Sequence, residues 1–502
     1  MASEAPQNRL VGYAFLIEKH GLNVLPNWHS SSISQTGTLR SIIQDGRTET
    51  TYPLSYWPGN STVNHIEFAL KYDGVNLEIL SALFDVIPED EITDWVKSTP
   101  IGKYVRKTWF LFEFLTGKTL PLSNLTKGNY IDLLESDLYY TTSPGRRVQR
   151  QRVIDNLLGV STFCPIIRRT DKLASMEGID PAKRCEEVVT AYPPELLRRA
   201  LSYLYSKETK SSFEIEHIKP SASRVEKFIG LLEMAETRDF CEKAQLIDVQ
   251  NRIVDPRFKD DDYRKSQNYI GQSVSYQKQI VHYVCPKAED VKGLMDGLIT
   301  SHQIMKEGTV PAVIHATAIS YGFVFIHPFE DGNGRIHRFL IHNILSVRGS
   351  IPKGLMFPVS AAMLKNQALY DHSLEAFSNL LMRLVEFDLD NEGRMTVAGE
   401  TGRIYRFIDM TVQAEALYDF VMLTIEHELV EELNFLAGYD KTKKAIQEIV
   451  DMPDRLIDLF IQVCLQNSGR LSAKKRESHF SFLSDDELTR MENAISVGYE
   501  AV

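Results

Sequence analysis

The stretch that decides the fold lies in the second half of the chain, at residues 327–338: His-Pro-Phe-Glu-Asp-Gly-Asn-Gly-Arg-Ile-His-Arg. It combines a histidine that can act as a base, acids, a Gly-Asn-Gly turn and two arginines. Gly332 and Gly334 can take positive φ and let backbone N–H groups approach an anion closely. Asp331 can hold Mg²⁺, which in proteins takes only one or two carboxylates together with substrate phosphates. These residue types favour a site for a polyphosphate.

The residues after the glycines follow a helical pattern. Their apolar members repeat along one face: Ile336, Phe339, Leu340 and Ile344. A phosphate held by the turn would therefore face the unpaired N–H groups and the positive end of the dipole at a helix N-terminus. Arg335 and Arg338, three residues apart, project from neighbouring positions of this helix.

At every specified position the stretch resembles the signature of the Fic family, His-Pro-Phe-x-(Asp/Glu)-Gly-Asn-Gly-Arg-x-x-Arg. Most members are protein adenylyltransferases, which move AMP from ATP onto a hydroxyl side chain. The resemblance implies that His327 is the general base, and an imidazole of pKa ~6.5 suits that task at neutral pH. It further implies that Asp331 binds Mg²⁺, that Arg338 pairs with the γ-phosphate, and that the other phosphates are held by Gly332, Asn333, Gly334 and Arg335. A chance loop before a buried helix is the alternative, and the number of matched positions argues against it.

The whole chain has the composition of a globular protein, with 43% hydrophobic and 25% charged residues in 502. Its net charge of −11 argues against a protein that mainly coats DNA or a membrane. The first residues lack the apolar core of a signal peptide, and no apolar stretch reaches the ~20 residues of a membrane span. Five scattered cysteines form no CxxC pair and favour reduced thiols. We therefore expect a cytoplasmic location without a membrane partner.

The sequence predicts a mainly α protein with three domains. These are an N-terminal α+β domain over residues 1–175, a helical Fic-type bundle over 206–385 and a helical domain over 400–502. All four tryptophans lie in the first 110 residues, which marks a separate N-terminal unit. There we interpret the aromatic cluster at 109–114 as core and the arginines at 146–152, 168 and 169 as a solvated or salt-bridged face.

The predicted bundle contains helices at 291–305 and 310–326, of which the second is apolar enough to be buried. Val274 to Pro286 is rich in β-branched and aromatic residues and is predicted to form a short β-hairpin. The resemblance implies that this hairpin is the flap, which aligns a target peptide by strand addition. A plain structural hairpin is the alternative. Residues 387–394 are interpreted as a turn that ends the bundle.

The C-terminal domain contains predicted helices at 413–436 and 453–465, and two further helix starts at Ser472 and at the capping box Ser484–Glu487. This order is compatible with a DNA-binding helix-turn-helix that places Lys474, Lys475 and Arg476 on phosphates. The overall acidity favours a packing or dimerisation module instead.

Residues 211–220, Ser-Ser-Phe-Glu-Ile-Glu-His-Ile-Lys-Pro, are predicted to form a separate short helix. Ser211 and Glu214 make a capping box, Pro220 ends the helix, and a box at Ser223–Glu226 starts the next one. The segment resembles the inhibitory motif (Ser/Thr)-x-x-x-Glu-(Gly/Asn) of one class of Fic proteins.

Ser212 and Glu216 match that motif, whereas His217 stands where Gly or Asn is expected. The resemblance implies that segment 211–219 holds the enzyme off, with Glu216 occupying Arg338. A domain connector is the alternative.

The sequence therefore predicts an autoinhibited protein adenylyltransferase. It would use ATP and Mg²⁺ to modify a Tyr, Ser or Thr hydroxyl of a target protein, itself included, and release pyrophosphate. Two alternatives stay open. One is a relative that removes AMP or transfers another phosphate-containing group, and the other is a DNA-binding regulator that uses the C-terminal helices. Whether the protein forms a homodimer is also open.

Overall fold

The computed structural model describes residues 9–34, 37–44, 46–275 and 278–499. Its α-helices, labelled in chain order, are α1 Gly12–His20, α2 Thr62–Phe68, α3 Leu77–Val86, α4 Glu89–Ser98, α5 Lys103–Thr116, α6 Asp171–Glu177, α7 Pro181–Val189, α8 Pro194–Glu214, α9 Ala222–Met234, α10 Lys243–Ile253, α11 Ala288–Glu307, α12 Ala312–Ile326, α13 Asn333–Val347, α14 Val359–Lys365, α15 Gln367–Leu381, α16 Gly402–Arg406, α17 Thr411–Leu423, α18 Leu429–Ile449, α19 Asp454–Leu465, α20 Ala473–His479 and α21 Asp485–Tyr499. Its strands are β1 Arg9–Val11, β2 His29–Ser34, β3 Arg40–Gln44, β4 Arg47–Pro53, β5 Ile131–Asp132, β6 Arg146–Val148, β7 Val153–Asp155, β8 Tyr269–Ser275, β9 Lys278–Val284, β10 Phe387–Leu389 and β11 Met395–Val397. The predicted mainly α fold is confirmed.

The chain forms two compact units, each built from segments that are distant in sequence. The first contains residues 1–178, 237–348 and 367–418, and the second contains 179–236, 349–366 and 419–502. These units are a different division from the three consecutive domains expected from the sequence, at 1–175, 206–385 and 400–502. Those domain bounds stay a prediction.

The N-terminal part of the first unit mixes helices with a four-stranded sheet in the order β1-β2-β4-β3. Strands β2 and β4 run parallel, and the other neighbours run antiparallel. Trp109, Phe110 and Phe112 of α5 are buried in its core, so the core interpretation of the aromatic cluster is confirmed. The arginine-rich run is salt-bridged as expected, in the pairs Arg146–Asp155, Arg150–Glu113, Arg168–Asp409 and Arg169–Glu177.

Helix α12 is the centre of the bundle in the first unit. Every residue from Val313 to Ile326 is buried, because α11 and α13 both pack against this helix. The predicted hairpin is present as β8 and β9, which pair antiparallel from Tyr269 opposite Val284. Its first strand begins earlier than the predicted Val274, and residues 276 and 277 of the prediction lie outside the described residues. Two antiparallel strands therefore precede the motif, as a flap requires.

Residues 387–394 correct the predicted turn. Strands β10 and β11 form a small hairpin, with Phe387 opposite Val397 and Leu389 opposite Met395. The turn itself is confined to the residues after Leu389, where Gly393 takes φ 79°. Apolar and polar residues alternate on both sides of the turn, which is the period of a strand. In the sequence, the turn residues between them led to the prediction of a turn for the whole stretch.

The second unit is helical, with α18, α19 and α21 packed around Ile446, Phe460 and Met491. The helix predicted at 413–436 continues through a π-helical segment at Thr424–Glu428 into α18 and ends at Ile449. Ser472 caps α20 as predicted. The capping box of α21 is also confirmed, since Glu487 accepts from the Ser484 N–H at 2.8 Å and the Glu487 N–H donates to Ser484 Oγ at 3.2 Å.

Helix α21 would be the recognition helix of a helix-turn-helix. Its first turn carries Asp485, Asp486 and Glu487, which place negative charge where DNA phosphates would approach. This arrangement favours the packing interpretation of the C-terminal helices. No helix of the described residues is both long and apolar enough to cross a membrane.

Candidate active site

His327 closes the C-terminus of α12 in a left-handed conformation, with φ 53°. Histidine is one of the residue types that adopt this region more readily than most. Its N–H donates to Phe323 O at 2.9 Å, and Pro328 follows, so the helix cannot continue. The His327 carbonyl accepts from Nε of Arg264 at 2.8 Å. The backbone of this residue is therefore held on both sides.

The imidazole of His327 is half-buried, and its Nδ1 lies 3.2 Å from the backbone O of Val324. A carbonyl oxygen only accepts hydrogen bonds, so Nδ1 carries the proton in this pair. The neutral ring then has its lone pair on Nε2. Nε2 is therefore the atom that can take a proton from a substrate.

Asn333 closes the loop between α12 and α13. Its Oδ1 accepts from the Phe329 N–H at 3.0 Å, and its Nδ2 donates to Phe329 O at 2.8 Å. Both polar atoms of this buried side chain thus bond the loop backbone. The phosphate role predicted for Asn333 stays a prediction, and the atom it has for such a role is its backbone N–H.

The two glycines of the turn behave differently. Gly332 takes φ 93°, and a Cβ there would lie 2.9 Å from Cγ1 of Val254, so both the backbone and the space require glycine. Gly334 lies in the first turn of α13 and does not use the positive φ that a glycine can take. Helix formation by residues 333–347 sets its backbone instead.

The N-terminus of α13 faces the loop. The first hydrogen bond of the helix runs from Ile336 N to Gly332 O, so the N–H groups of Asn333, Gly334 and Arg335 precede it. N–H groups in such a first turn point along the helix axis and favour an anion. This geometry fits the predicted phosphate cradle.

Two buried arginines stand on α13. Nη2 of Arg335 lies 2.7 Å from Asp331 Oδ1, and Nη1 donates to Ile253 O at 3.1 Å. Nη1 of Arg338 donates to the hydroxyl of Tyr370 at 3.4 Å. The exposed fractions are 0% for Arg335 and 2% for Arg338. Both guanidinium groups thus place positive charge inside the protein, behind the first turn of the helix.

Asp331 is the predicted metal ligand, and its side chain is 38% exposed. Its Oδ1 accepts from the Gly332 N–H at 2.6 Å as well as from Arg335. The neighbouring Glu330 accepts from Ser266 Oγ. Burial, followed by the carboxylates of Glu330, Asp261 and Asp331, raises the pKa of Asp260. This side of the loop is therefore acidic.

The acidic residues of this loop are the candidates for binding a metal ion. Within the described parts of the chain, no group of three or more His, Cys, Asp or Glu side chains could hold an ion by itself. Mg²⁺ needs fewer protein ligands, because it keeps waters and binds substrate phosphates. A half-exposed Asp331 at the mouth of the loop fits that mode, and Mg²⁺ itself stays a prediction.

His337 lies between the two arginines in sequence but points elsewhere. Its ring packs edge-on against Tyr321, with centroids 4.7 Å apart, and it is fully buried. Burial lowers the pKa of His337 to about 3. The ring is therefore neutral core at physiological pH, in agreement with its omission from the predicted site.

The segment around Glu216 corrects the prediction of a separate short helix. Helix α8 runs unbroken from Pro194 to Glu214, so Ser211 and Ser212 are buried in its last turn and no capping box forms at Ser211. The next helix, α9, begins after Ser221, whose side chain accepts from Arg224 N, and not at Ser223. No breaker interrupts the apolar pattern before residue 211, and a continuing helix overrides a local start signal.

Helix α8 ends on a left-handed residue, His217, with φ 54°. The His217 N–H donates to Glu214 O at 2.8 Å, and the Ile218 N–H donates to Phe213 O at 3.0 Å. This pattern is a Schellman-type helix end, which favours Gly or Asn at the left-handed position. The Gly or Asn of the inhibitory motif is thus explained by backbone conformation, and His217 adopts the same shape. The inhibitory role of Ser212 and Glu216 stays a prediction.

Arg264 and Asp260 belong to the surroundings of the site, and the sequence does not predict them. They lie more than sixty residues before the motif, in a loop between α10 and β8 that has no motif or periodicity of its own. No local signal in the chain could have identified them.

Comparison with known proteins gives the following similarities. Residues 240–345 match the model of the Fic/DOC family. The chain is similar to the structure of a Fic family protein from Desulfovibrio desulfuricans G20, at 17% identity and TM-score 0.36 over 55% of this chain and 80% of that one. It is similar to a Fic domain containing signaling protein from Bacteroides thetaiotaomicron VPI-5482, at 16% identity and TM-score 0.35 over 52% and 97%. It is also similar to Fic-1 (aa134–508) from C. elegans, at 16% identity and TM-score 0.32 over 74% and 92%. At these scores the three structures say nothing about the activity of this chain.

Proposed function

We propose that this protein transfers AMP from ATP to a hydroxyl side chain of a target protein. One observation carries the proposal. His327, with its lone pair on Nε2, opens a loop that leads directly to the N-terminus of α13 and its two buried arginines. A histidine that can act as a base and a helix N-terminus that can hold phosphates are thereby joined by one short loop. The match of residues 240–345 to the Fic/DOC family supports the same chemistry.

In the proposed reaction, His327 Nε2 takes the proton of the target hydroxyl. The hydroxyl oxygen forms a bond to the α-phosphorus, the bond from that phosphorus to the β-phosphate oxygen breaks, and pyrophosphate leaves. The first-turn N–H groups of α13 hold the phosphates, and Arg335 and Arg338 neutralise their charge. Such a transfer needs mainly positioning and electrostatic stabilisation from the protein.

Asp331 would hold Mg²⁺ together with the phosphates of ATP. The ion, when bound, supplies positive charge to the phosphate oxygens. The acidic side of the loop, formed by Glu330 and Asp331 with Asp260 nearby, supports a cation there. Nη2 of Arg335 lies 2.7 Å from Asp331 Oδ1, and this ion pair orients the carboxylate.

We further propose that Glu216 restrains the reaction by competing with the γ-phosphate for Arg338. A carboxylate and a guanidinium can form a bidentate pair that is strong enough to compete with phosphate. ATP would then bind with its α-phosphate misaligned, and a misplacement of ~1 Å can lower a rate about a hundredfold. The match of Ser212 and Glu216 to the inhibitory motif, and the left-handed His217 beside them, support this proposal.

The test compares Glu216→Gly with Glu214→Gly, a change of the exposed acid two residues earlier in the same helix end. Each protein is incubated with cell lysate and ATP labelled on the α-phosphate, and modified peptides are identified by mass spectrometry. We expect Glu216→Gly to raise AMP transfer or self-labelling by roughly a hundredfold, and Glu214→Gly to leave it unchanged.

Parallel incubations with labelled UTP and CDP-choline separate AMP transfer from transfer of another phosphate-containing group. If the wild type removes AMP from modified protein and Glu216→Gly does not, the result would support the reverse reaction. If Glu216→Gly labels no faster than wild type on any target, itself included, segment 211–219 is only a connector.

A further inference from the structure

Residues 264–268, Arg-Lys-Ser-Gln-Asn, connect two parts of the molecule that the proposed reaction must bring together. We name this segment the strap. On one side it bonds the loop that contains His327, and on the other it bonds the chain at the foot of the β8–β9 hairpin. Each contact is a hydrogen bond between described residues of the first unit.

The strap holds the loop at three points. Backbone N–H of Arg264 donates to Pro328 O at 2.8 Å, and its Nε donates to His327 O at 2.8 Å. Ser266 Oγ donates to Glu330. The carbonyl of the left-handed His327 thus accepts a hydrogen bond from a guanidinium.

The strap also holds the foot of the hairpin. Nη2 of Arg264 donates to Pro286 O at 2.6 Å, and Nε2 of Gln267 donates to Cys285 O at 2.8 Å. The N–H of Cys285 in turn donates to Asn268 O at 3.1 Å. The position of the hairpin and the position of the base are thereby set by one segment.

Arg264 is the residue that spans both sides. It is 4% exposed, and Nη1 completes its contacts by donating to Ser266 O at 2.7 Å. Within the described residues no carboxylate lies at salt-bridge distance from this guanidinium. Backbone carbonyls from three places in the chain therefore compensate its burial. A planar fork of donors can reach all three carbonyls at once, which a single ammonium cannot.

We propose that Arg264 is a positioning residue that holds the Nε2 atom of His327 and the hairpin in one frame, so that a target strand on the hairpin presents its hydroxyl to the base. This inference rests on the proposed function. Reacting atoms must meet within a fraction of an ångström, and a shift of ~1 Å lowers a rate about a hundredfold. Loss of the fork should therefore lower turnover while the phosphate cradle on α13 still binds ATP.

The experiment compares Arg264→Lys with Arg348→Lys, both in the Glu216→Gly protein. Arg348 is a matched control, because its guanidinium also donates to backbone carbonyls, those of Met305, Lys306, Gly308 and Val310. It ties the end of α13 to the end of α11 and to the connection that follows α11 instead. We expect Arg264→Lys to lower kcat for AMP transfer about a hundredfold with KM for ATP changed less than about twofold. Arg348→Lys should leave kcat unchanged.

A second measurement does not depend on activity. In protein labelled with ¹⁵N-histidine, the ring nitrogen shifts of His327 report which nitrogen carries the proton, and the signal is assigned with His327→Gln. Wild type and Arg348→Lys should show the Nδ1–H form of His327. Arg264→Lys should show a mixture of the Nδ1–H and Nε2–H forms. If Glu216→Gly itself transfers no AMP, the proposed function fails while this measurement still decides the role of Arg264.

An Arg264→Lys protein that folds, keeps kcat and keeps the Nδ1–H form would overturn the proposal. If that variant does not fold, Gln267→Ala replaces it, because this change removes the side-chain bonds to Cys285 O and Asn268 O and leaves the contacts of Arg264 in place. We then expect KM for the target to rise several-fold with KM for ATP unchanged. An unchanged KM for the target would equally overturn the proposal.

Discussion

Two helix ends of this protein share one backbone device. Helix α12 ends at His327 with φ 53°, and α8 is closed by His217 with φ 54°. Both are histidines in the left-handed region, where most side chains are disfavoured, and both are followed within a few residues by proline. One opens the motif of the candidate active site, and the other stands beside the predicted inhibitory Glu216.

What differs is the range of their contacts. The hydrogen bonds of the His217 helix end are local, to Glu214 O and Phe213 O, and its side chain is exposed. His327 is bonded at its carbonyl by Arg264, which lies 63 residues away, and its ring is half-buried. The same local geometry thus serves either to turn the chain or to aim a side chain. At His327 the long-range contact is to the backbone carbonyl, and the ring lies against Val324 O three residues earlier.

The largest effect on AMP transfer should come from removing the imidazole of His327. We expect His327→Ala to lower AMP transfer by about 10²–10⁴-fold, because the base is lost. ATP binding, measured by calorimetry, should remain, because the phosphate cradle lies beyond this residue. The matched change His217→Ala, made in the Glu216→Gly protein, should leave transfer within about twofold. Near-normal labelling of targets by His327→Ala would refute the base assignment.

Asp331 and Glu330, the two acids that follow His327, should differ in their effect on the rate of AMP transfer. Asp331→Ala should lower transfer on the order of a hundredfold and abolish its dependence on Mg²⁺, because the metal loses its carboxylate. Glu330→Ala should have a smaller effect, since Glu330 contacts Ser266 of the strap. Rates are measured across a Mg²⁺ titration. The metal ligand is misassigned if Glu330→Ala loses the dependence and Asp331→Ala keeps it.

Lowering the pH should affect the free energy of unfolding through a buried histidine of α13. His342 of α13 is 1% exposed, neither ring nitrogen has a hydrogen-bond partner within the described residues, and burial lowers its pKa to about 4. The folded-state pKa of His342 lies below the unfolded value of ~6.5. The contribution of the buried, neutral His342 to the free energy of unfolding is therefore fully present above pH 6.5 and is lost as the pH falls towards 4.

We therefore expect the free energy of unfolding of the wild type to fall as the pH is lowered from 7 to 5. Over the same interval, the free energy of unfolding of His342→Leu should fall by about 2 kcal/mol less. Urea unfolding of both proteins at the two pH values measures the difference. An identical loss in both proteins would show that His342 does not titrate on unfolding.

The smallest effect should come from relieving His217. His217→Gly removes a left-handed side chain at an exposed helix end, and we expect a gain of about 0.5 kcal/mol after the entropy of the unfolded glycine is counted. Hydrogen exchange of the amides at 213–218 measures it locally. Inhibition should remain or tighten, because the segment then matches every position of the inhibitory motif that it resembles. Faster exchange in the variant would show that His217 has a stabilising contact of its own.

The sequence predicted some local structures and missed others for a physical reason. The capping box Ser484–Glu487 forms because a turn precedes it, whereas the box at Ser211–Glu214 does not, because α8 already runs through it. Gly332 takes the predicted left-handed conformation, and Gly334 joins the helix. In each case the local signal is real, and the neighbouring element decides whether it is used.

By itself the sequence determined the mainly α fold, the buried helix before the motif and the helix after it, because apolar spacing and the motif residues act over a few residues. Only the tertiary structure decided that Arg264 bonds both the carbonyl of His327 and the chain at the foot of the hairpin. Such contacts depend on which distant segments pack together. A guanidinium that bonds carbonyls from three segments leaves no periodicity or spacing in the chain.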